Sequence, residues 1–282
     1  MNAHPILEIA IQDAAGARLA SQAGASRVEV CSALGVGGLT PSLGLIESCV
    51  AVGIETAVLI RPRPGDFIYD DAEARLAARD IALAVRAGAH AVVVGALTGP
   101  DQLAADMLRG WIDAARAERA GVQIVLHRCV DVLLAGGVTS AELLDQVAAL
   151  GGINRILTSG GAPTCAAGAE TLAELVRLAD AGKGADTRKG ADAGSVEIMA
   201  GGGLQPGDIP SLAARGIRSF HLSARRTVSG GPAGPGGGPA SYEVTDPAQV
   251  GAAVAAQRAA RPAVRTATPS SARRFCKARS EV

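Results

Sequence analysis

The chain has 282 residues, 48% of them hydrophobic but only 2% aromatic, so its core is built from Ala, Val, Leu and Ile rather than large rings. The 27 basic and 27 acidic residues give a formal net charge of zero, leaving no bulk field to draw in nucleic acid or an anionic membrane. No stretch approaches the roughly 20 apolar residues of a bilayer crossing, and the opening residues lack a basic segment ahead of a long apolar run, so a soluble cytoplasmic protein is expected.

Short β-branched runs alternate along the chain with longer Ala- and Leu-rich stretches of helical period, the pattern of parallel strands joined by helical crossovers. Strands are predicted at 6–11, 27–31, 56–61, 91–95, 122–127, 155–159, 196–201 and 219–223, with helices such as 71–87 and 170–181 between them. Gly24, Gly88 and Gly216 stand just before three of the strands, where a left-handed residue closes a helix. Their recurrence is a weak internal repeat. Eight strand–helix pairs make a single (β/α)8 barrel over residues 1–261 the expected fold, with an open doubly wound sheet as the competing arrangement.

Two internal segments depart from this rhythm: 181–194, polar and glycine-rich, reads as a flexible insertion, and the Gly/Pro stretch 229–240 reads as mobile. Residues 262–282 carry Arg265, Arg273, Arg274, Lys277 and Arg279 without an apolar period and read as a disordered, solubilising basic tail. The five cysteines, Cys31, Cys49, Cys129, Cys165 and Cys276, show no CxxC and no repeated spacing, so reduced thiols are expected.

Alternation along a strand sends one set of side chains to the helices and the other to the barrel axis. With Leu7, Ile9 and Ile11 outward, Glu8 faces inward; with Val28 and Val30 outward, so do Glu29 and Cys31. The same reasoning turns Arg61, His127, His221 and Ser223 inward near the carboxyl ends of their strands. Charged groups inside a barrel are costly unless paired or used. Glu29, Arg61 and His127 are therefore the candidate catalytic residues: a carboxylate and an imidazole for acid–base work, and a guanidinium to hold an anion. Glu8, lower in its strand, suits either a structural ion pair with Arg61 or a direct role, and His221 taken alone reads as a core histidine.

Gly201, Gly202 and Gly203 follow the seventh strand and Ser223, Ala224 and Arg225 the eighth, the two places where barrels often hold a phosphate. Together with Ser159 in the turn Thr158-Ser159-Gly160-Gly161, the residues Gly201, Gly202 and Ser223 form a candidate site for a small anion. Thr40 or Ser42 is placed to cap a helix. Arg63 and Asp66, in a loop stiffened by Pro62 and Pro64, are candidates for ligand contact at the rim.

The segments RVEVCSALGVGGLTPSLGLI (27–46), LIRPRPGDFIYDDAE (59–73), LHRCVDV (126–132), RILTSGG (155–161), IMAGGGL (198–204) and FHLSAR (220–225) resemble the CutC copper homeostasis family. The resemblance spans the chain from about Leu7 to the end of the eighth strand. It implies a cytoplasmic, homodimeric TIM barrel that handles copper, and marks Glu8, Glu29, Cys31, Arg61, His127, Ser159 and His221 as characteristic. Copper(I) wants soft ligands converging on one point; Cys31 at the mouth and Cys129 beside His127 are the candidate metal ligands, with Met199 able to join from the seventh strand. Ala10 and Ile11 stand where family members often carry cysteine, which removes potential ligands. Two functions from different classes follow: copper binding and homeostasis, or an enzyme acting by acid–base chemistry on a small phosphorylated or carboxylated metabolite. A regulatory barrel with a relict site is the third.

Overall fold

The structure, a computed structural model, describes residues 5–185, 196–232, 234–236 and 240–260. Eight parallel strands, β1 (Ile6–Ile11), β2 (Arg27–Val30), β3 (Glu55–Leu59), β4 (Ala91–Val94), β5 (Gln123–Leu126), β6 (Arg155–Thr158), β7 (Glu197–Gly201) and β8 (Ser219–Leu222), pair in chain order. β8 returns to β1 and closes the barrel. The (β/α)8 expectation holds, and every strand lies within two residues of its predicted span. The helices α1 (Ala14–Ala23), α2 (Leu43–Val50), α3 (Asp71–Arg86), α4 (Ala105–Glu118), α5 (Cys129–Ala135), α6 (Ser140–Leu150), α7 (Ala169–Ala185), α8 (Ile209–Ala214) and α9 (Pro247–Ala259) link the strands and follow the last of them.

Local chemistry sets the helix limits. Asp70 accepts from the Glu73 backbone N–H while Glu73 accepts from that of Asp70, a reciprocal cap that starts α3. Ser42 caps α2 through the Leu45 N–H, whereas Thr40 accepts from the backbone N–H of Arg61 and so ties two mouth loops together. Gly24, at φ 93°, closes α1 in the left-handed conformation, as its place ahead of β2 implied.

The alternation also holds. Leu7, Ile9, Ile11, Val28, Val30, Ile124, Leu126, Phe220 and Leu222 pack in one core with the helices. A second, smaller group inside the barrel holds Cys31, Ala57, Leu59, Ala91, Val93, Val125, Leu157 and Met199. This inner apolar set is short because much of the interior is polar: Glu8, Arg27, Glu29 and His221 are all buried.

Three features differ from the expectations. Two helices, α5 and α6, connect β5 to β6, because the Gly136-Gly137 step breaks the helical run and Thr139 caps a new one. Helix α7 continues to Ala185 through part of the segment read as a flexible insertion; residues 186–194 and 262–282 lie outside the described residues. After β8 the chain forms an antiparallel hairpin, β9 (Arg225–Ser229) with β10 (Ser241–Thr245), flanking the Gly/Pro stretch. Neither strand contains a buried residue, so no apolar alternation advertised them. Among the described residues, no helix is long and apolar enough to cross a membrane.

Candidate functional site

Parallel register builds the polar interior. Glu8 on β1 lies level with Arg27 on β2 and with His221 on β8, so its carboxylate meets a cation on either side. Arg27 Nε donates to one Glu8 oxygen, and His221 Nδ1 lies 2.7 Å from the other. Arg27 also reaches Glu55 at 3.3 Å and the Met199 sulfur at 3.5 Å. The ion pair of Glu8 is thus with Arg27 and not with Arg61, which lies beyond the end of β3. Arg27 is the residue that sequence reasoning missed: it stands two positions before the inward Glu29 and so faces the same way, but a strand-opening Arg reads as surface.

One pleat above Arg27, Glu29 holds its carboxylate 3.8 Å from His221 Nε2. A single imidazole therefore spans two carboxylates, and their environments drive them apart. Burial favours the neutral form of Glu8, but Arg27 and His221 outweigh it and hold the carboxyl down at about 2. For Glu29 burial dominates; His221 pulls the other way, and the carboxyl is pushed up to about 7. Burial alone would lower His221, yet Glu29 and Glu8 together raise it. The group thus holds one fixed anion, one imidazole biased toward its charged form and one carboxyl that gains and loses its proton near neutrality.

The rest of the polar mouth is formed by residues after β3, the neighbour of β2, and after β5, across the barrel from β1. Arg61 donates through Nη1 to the carbonyls of Val36 and Gly38, each at 3.0 Å, and through Nη2 to Gly65 at 2.9 Å, with Phe67 5.2 Å beneath the guanidinium. His127 Nδ1 accepts from the Cys129 backbone N–H at 3.1 Å, which puts the ring proton on Nε2. Burial, then the charge of Arg61, hold His127 down at about 3, so the ring is neutral. Gly95 leaves the room it needs: a Cβ there would stand 2.4 Å from the imidazole. Among the described residues, His127 Nε2, Arg61 Nε and Ser223 Oγ are buried without a hydrogen bond of good geometry.

These walls enclose a cleft of about 1120 Å³ lined by Glu29, Arg61, Phe67, His127, His221 and Ser223, among others. The three candidate catalytic residues, drawn from β2, the loop after β3 and the end of β5, share this one space. The proposed anion residues divide. Gly202 and Ser223 line the cleft, Gly202 at a φ of 111° that only glycine adopts readily. Gly201 does not line it; a Cβ there would meet Leu157 at 2.3 Å and His221 Cβ at 2.9 Å, so its bareness makes room for the barrel interior. Ser159 is fully buried, and its backbone N–H, with that of Gly161, donates to Asp131. The turn after β6 thus cradles the protein's own carboxylate, which also takes the Thr158 hydroxyl at 2.5 Å and Arg128 Nε at 2.7 Å. Arg63 and Asp66 pair with each other at 3.0 Å outside the cleft lining.

The soft ligands do not converge. Cys31 packs inside the barrel, donating to the Ile11 carbonyl, whereas Cys129 opens α5 and packs on the helix side of the strand wall. Burial pushes both thiols up. Among the described residues, the group of three or more His, Cys, Asp or Glu that comes together with metal-like spacing is Glu8, Glu29 and His221, within 4.8 Å of one another. That donor set does not fit copper(I): it contains no sulfur, and Glu8 and His221 Nδ1 are already engaged with Arg27 and each other.

A family model described as the CutC family matches residues 5–226. A CutC family protein of Xylella fastidiosa (strain 9a5c) is 38% identical over 231 residues, 81% of this chain and 78% of the relative. One from Agrobacterium fabrum (strain C58 / ATCC 33970) is 38% identical over 207 residues, 73% of this chain and 74% of the relative. Among solved structures, a protein of Streptococcus agalactiae, provisionally named copper homeostasis protein CutC, is 29% identical; the match covers 77% of this chain and 97% of that one, with a TM-score of 0.65.

Proposed function

The chain belongs to the CutC family, and from that premise we propose that it is an acid–base enzyme that binds a small polar metabolite at the barrel mouth and moves a proton on it. One observation carries this reading: Glu29 is buried in the wall of the cleft and its carboxyl is raised to about 7. A carboxyl at that value is ionised often enough to accept a proton at neutral pH and is basic enough to hold it. His221 sits beside it as a charge partner, and Glu8, itself anchored by Arg27, orients the imidazole through Nδ1. Glu29 is the proton carrier, His221 and Glu8 are positioning residues, and Arg61 and His127 face the bound molecule.

The test is a comparison of the wild type with Glu29→Gln on a bacterial metabolite extract followed by mass spectrometry. At least one small carbonyl-bearing or carboxylated compound is expected to change with the wild type and to do so about 100-fold or more slowly with the variant. An extract left unchanged by the wild type, or changed equally by both, overturns the reading.

The copper reading has a separate support, the name carried by the streptococcal relative. It requires Cys31 to recruit a second soft ligand, since sulfur is what copper(I) selects. Anaerobic titration with copper(I) against a competing chelator decides it: stoichiometric binding by the wild type that is lost in Cys31→Ser favours this function, and equal behaviour of the two proteins rejects Cys31 as a ligand.

A further inference from the structure

The cleft that Glu29 lines also holds two donors that the fold leaves without a hydrogen bond of good geometry. His127 and Arg61 are 5% and 7% exposed and both line the cleft; among the described residues His127 Nε2 has no hydrogen-bond partner, and Arg61 Nε makes no hydrogen bond of good geometry, the Tyr69 hydroxyl being the polar group beside the guanidinium. A buried donor without an acceptor is costly, and retaining two at one mouth points to an acceptor brought by a ligand. Both are fixed. The Cys129 N–H holds the imidazole through Nδ1, Phe67 lies against the ring with centroids 4.8 Å apart, and three loop carbonyls hold the Arg61 guanidinium.

The charges nearby narrow the ligand class. The other guanidiniums lining the cleft are already paired, Arg128 with Asp131 at 2.7 Å and Arg225 with Glu243 at 2.6 Å. The backbone cradle after β6 is filled by Asp131. A doubly charged phosphate finds one guanidinium without a carboxylate here, that of Arg61, whereas a single oxygen that gains charge during a reaction finds two preset donors among Leu59, Phe67 and Leu157.

We propose that His127 and Arg61 form an oxyanion-binding pair, and that the reaction is removal of a proton from the carbon next to a carbonyl or carboxylate. The inference rests on the acid–base role of Glu29. In the step, the Glu29 carboxylate takes the proton from the α-carbon, the C–H electron pair becomes a C=C bond, and the carbonyl π pair moves to oxygen. That oxyanion accepts from His127 Nε2–H and Arg61 Nε–H, a neutral imidazole paired with a carboxylate base. The Glu29 acid then returns the proton to the same carbon as the carbonyl re-forms or, in an α-hydroxycarbonyl compound, to the former carbonyl carbon once the hydroxyl proton has passed to the oxyanion and the hydroxyl oxygen becomes the new carbonyl, so no oxidant or reductant is consumed.

The probe is acetohydroxamate, a small planar mimic of an enolate, titrated into the full-length protein by calorimetry and by 15N NMR of the histidines. The expected result is binding to the wild type with a shift of His127 Nε2 while Nδ1 stays in place, weakened about 10-fold or more in His127→Phe and in Arg61→Lys. Inorganic phosphate should not displace it. The NMR shift is read on the wild type, so it stands even if Arg61→Lys folds poorly. Absence of binding, unchanged affinity in His127→Phe, or displacement by phosphate overturns the proposal. The metabolite assay run in D2O separates the two claims. Carbon-bound deuterium in the product supports the step, turnover without it overturns the step but leaves Glu29 its acid–base role, and no turnover by the wild type removes that role itself.

Discussion

The amino-terminal floor of the barrel and its carboxyl-terminal mouth hold the same kinds of charged residue and treat them in opposite ways. On the floor each buried guanidinium has a carboxylate: Arg27 has Glu8 and Glu55, and Arg155 has Glu197 at 2.7 Å. Arg155 Nη1 and Ser219 Oγ still lack partners, but among the described residues both buried floor guanidiniums face a carboxylate. At the mouth, Arg61 is held by backbone carbonyls and the Phe67 ring rather than by a carboxylate, His127 is kept neutral, and Glu29 is kept close to its protonation midpoint. The difference separates groups that hold the barrel from groups the barrel holds ready, as expected for a fold whose active sites sit at the strand carboxyl ends.

The contrast breaks most visibly on the floor. Arg27→Met removes one of the two cations beside the buried Glu8 carboxylate, leaving His221 alone, and is expected to cost about 3–5 kcal/mol in urea denaturation. A loss under about 1 kcal/mol would mean the pair holds nothing. At the mouth the sign reverses. The folded-state carboxyl of Glu29 lies near 7, above its ordinary 4.5, so the Glu29 contribution to stability declines as pH rises from 4.5 to 7 and its full penalty stands above 7. Glu29, faced by His221, Glu8, Arg27 and Cys31, loses this penalty as Gln. The variant should match the wild type near pH 4 and exceed it by up to about 3 kcal/mol at pH 8; a pH-independent difference in urea midpoints would contradict this. Gly95→Ala tests the space behind His127. With its Cβ 2.4 Å from the imidazole and 2.5 Å from Cys129 Sγ, it should cost about 1–3 kcal/mol and abolish the hydroxamate signal. The smallest effect is expected of Arg63→Ala, which changes a rim pair outside the cleft lining and should leave acetohydroxamate affinity unaltered.

Strand alternation made much of this legible. Outward Val28 and Val30 imply an inward Glu29, outward Ile124 and Leu126 an inward His127, and outward Phe220 and Leu222 an inward His221, and all three line the cleft. Inter-strand register was not legible, because the sequence does not state which level of β1 meets which level of β2 and β8; that register decides that Glu8 joins Arg27 and His221. The fate of the turn after β6 was hidden for a similar reason. Its glycines and hydroxyls read as an anion site, but the anion is Asp131, delivered by α5 from another part of the chain. Alternation also stops where the strand stops. Cys129, two residues after His127, would have faced inward on a longer strand, but it begins α5 and packs outside.

Direct observation of the Glu29 side chain by 13C NMR, as pH is varied in the wild type and in His221→Phe, bears on the central claim most closely. The carboxyl should titrate near 7 in the wild type, and at higher pH once the imidazolium that favours its ionised form is gone. Titration at the ordinary 4.5 in both proteins would show that the barrel mouth does not hold a proton carrier poised at neutrality.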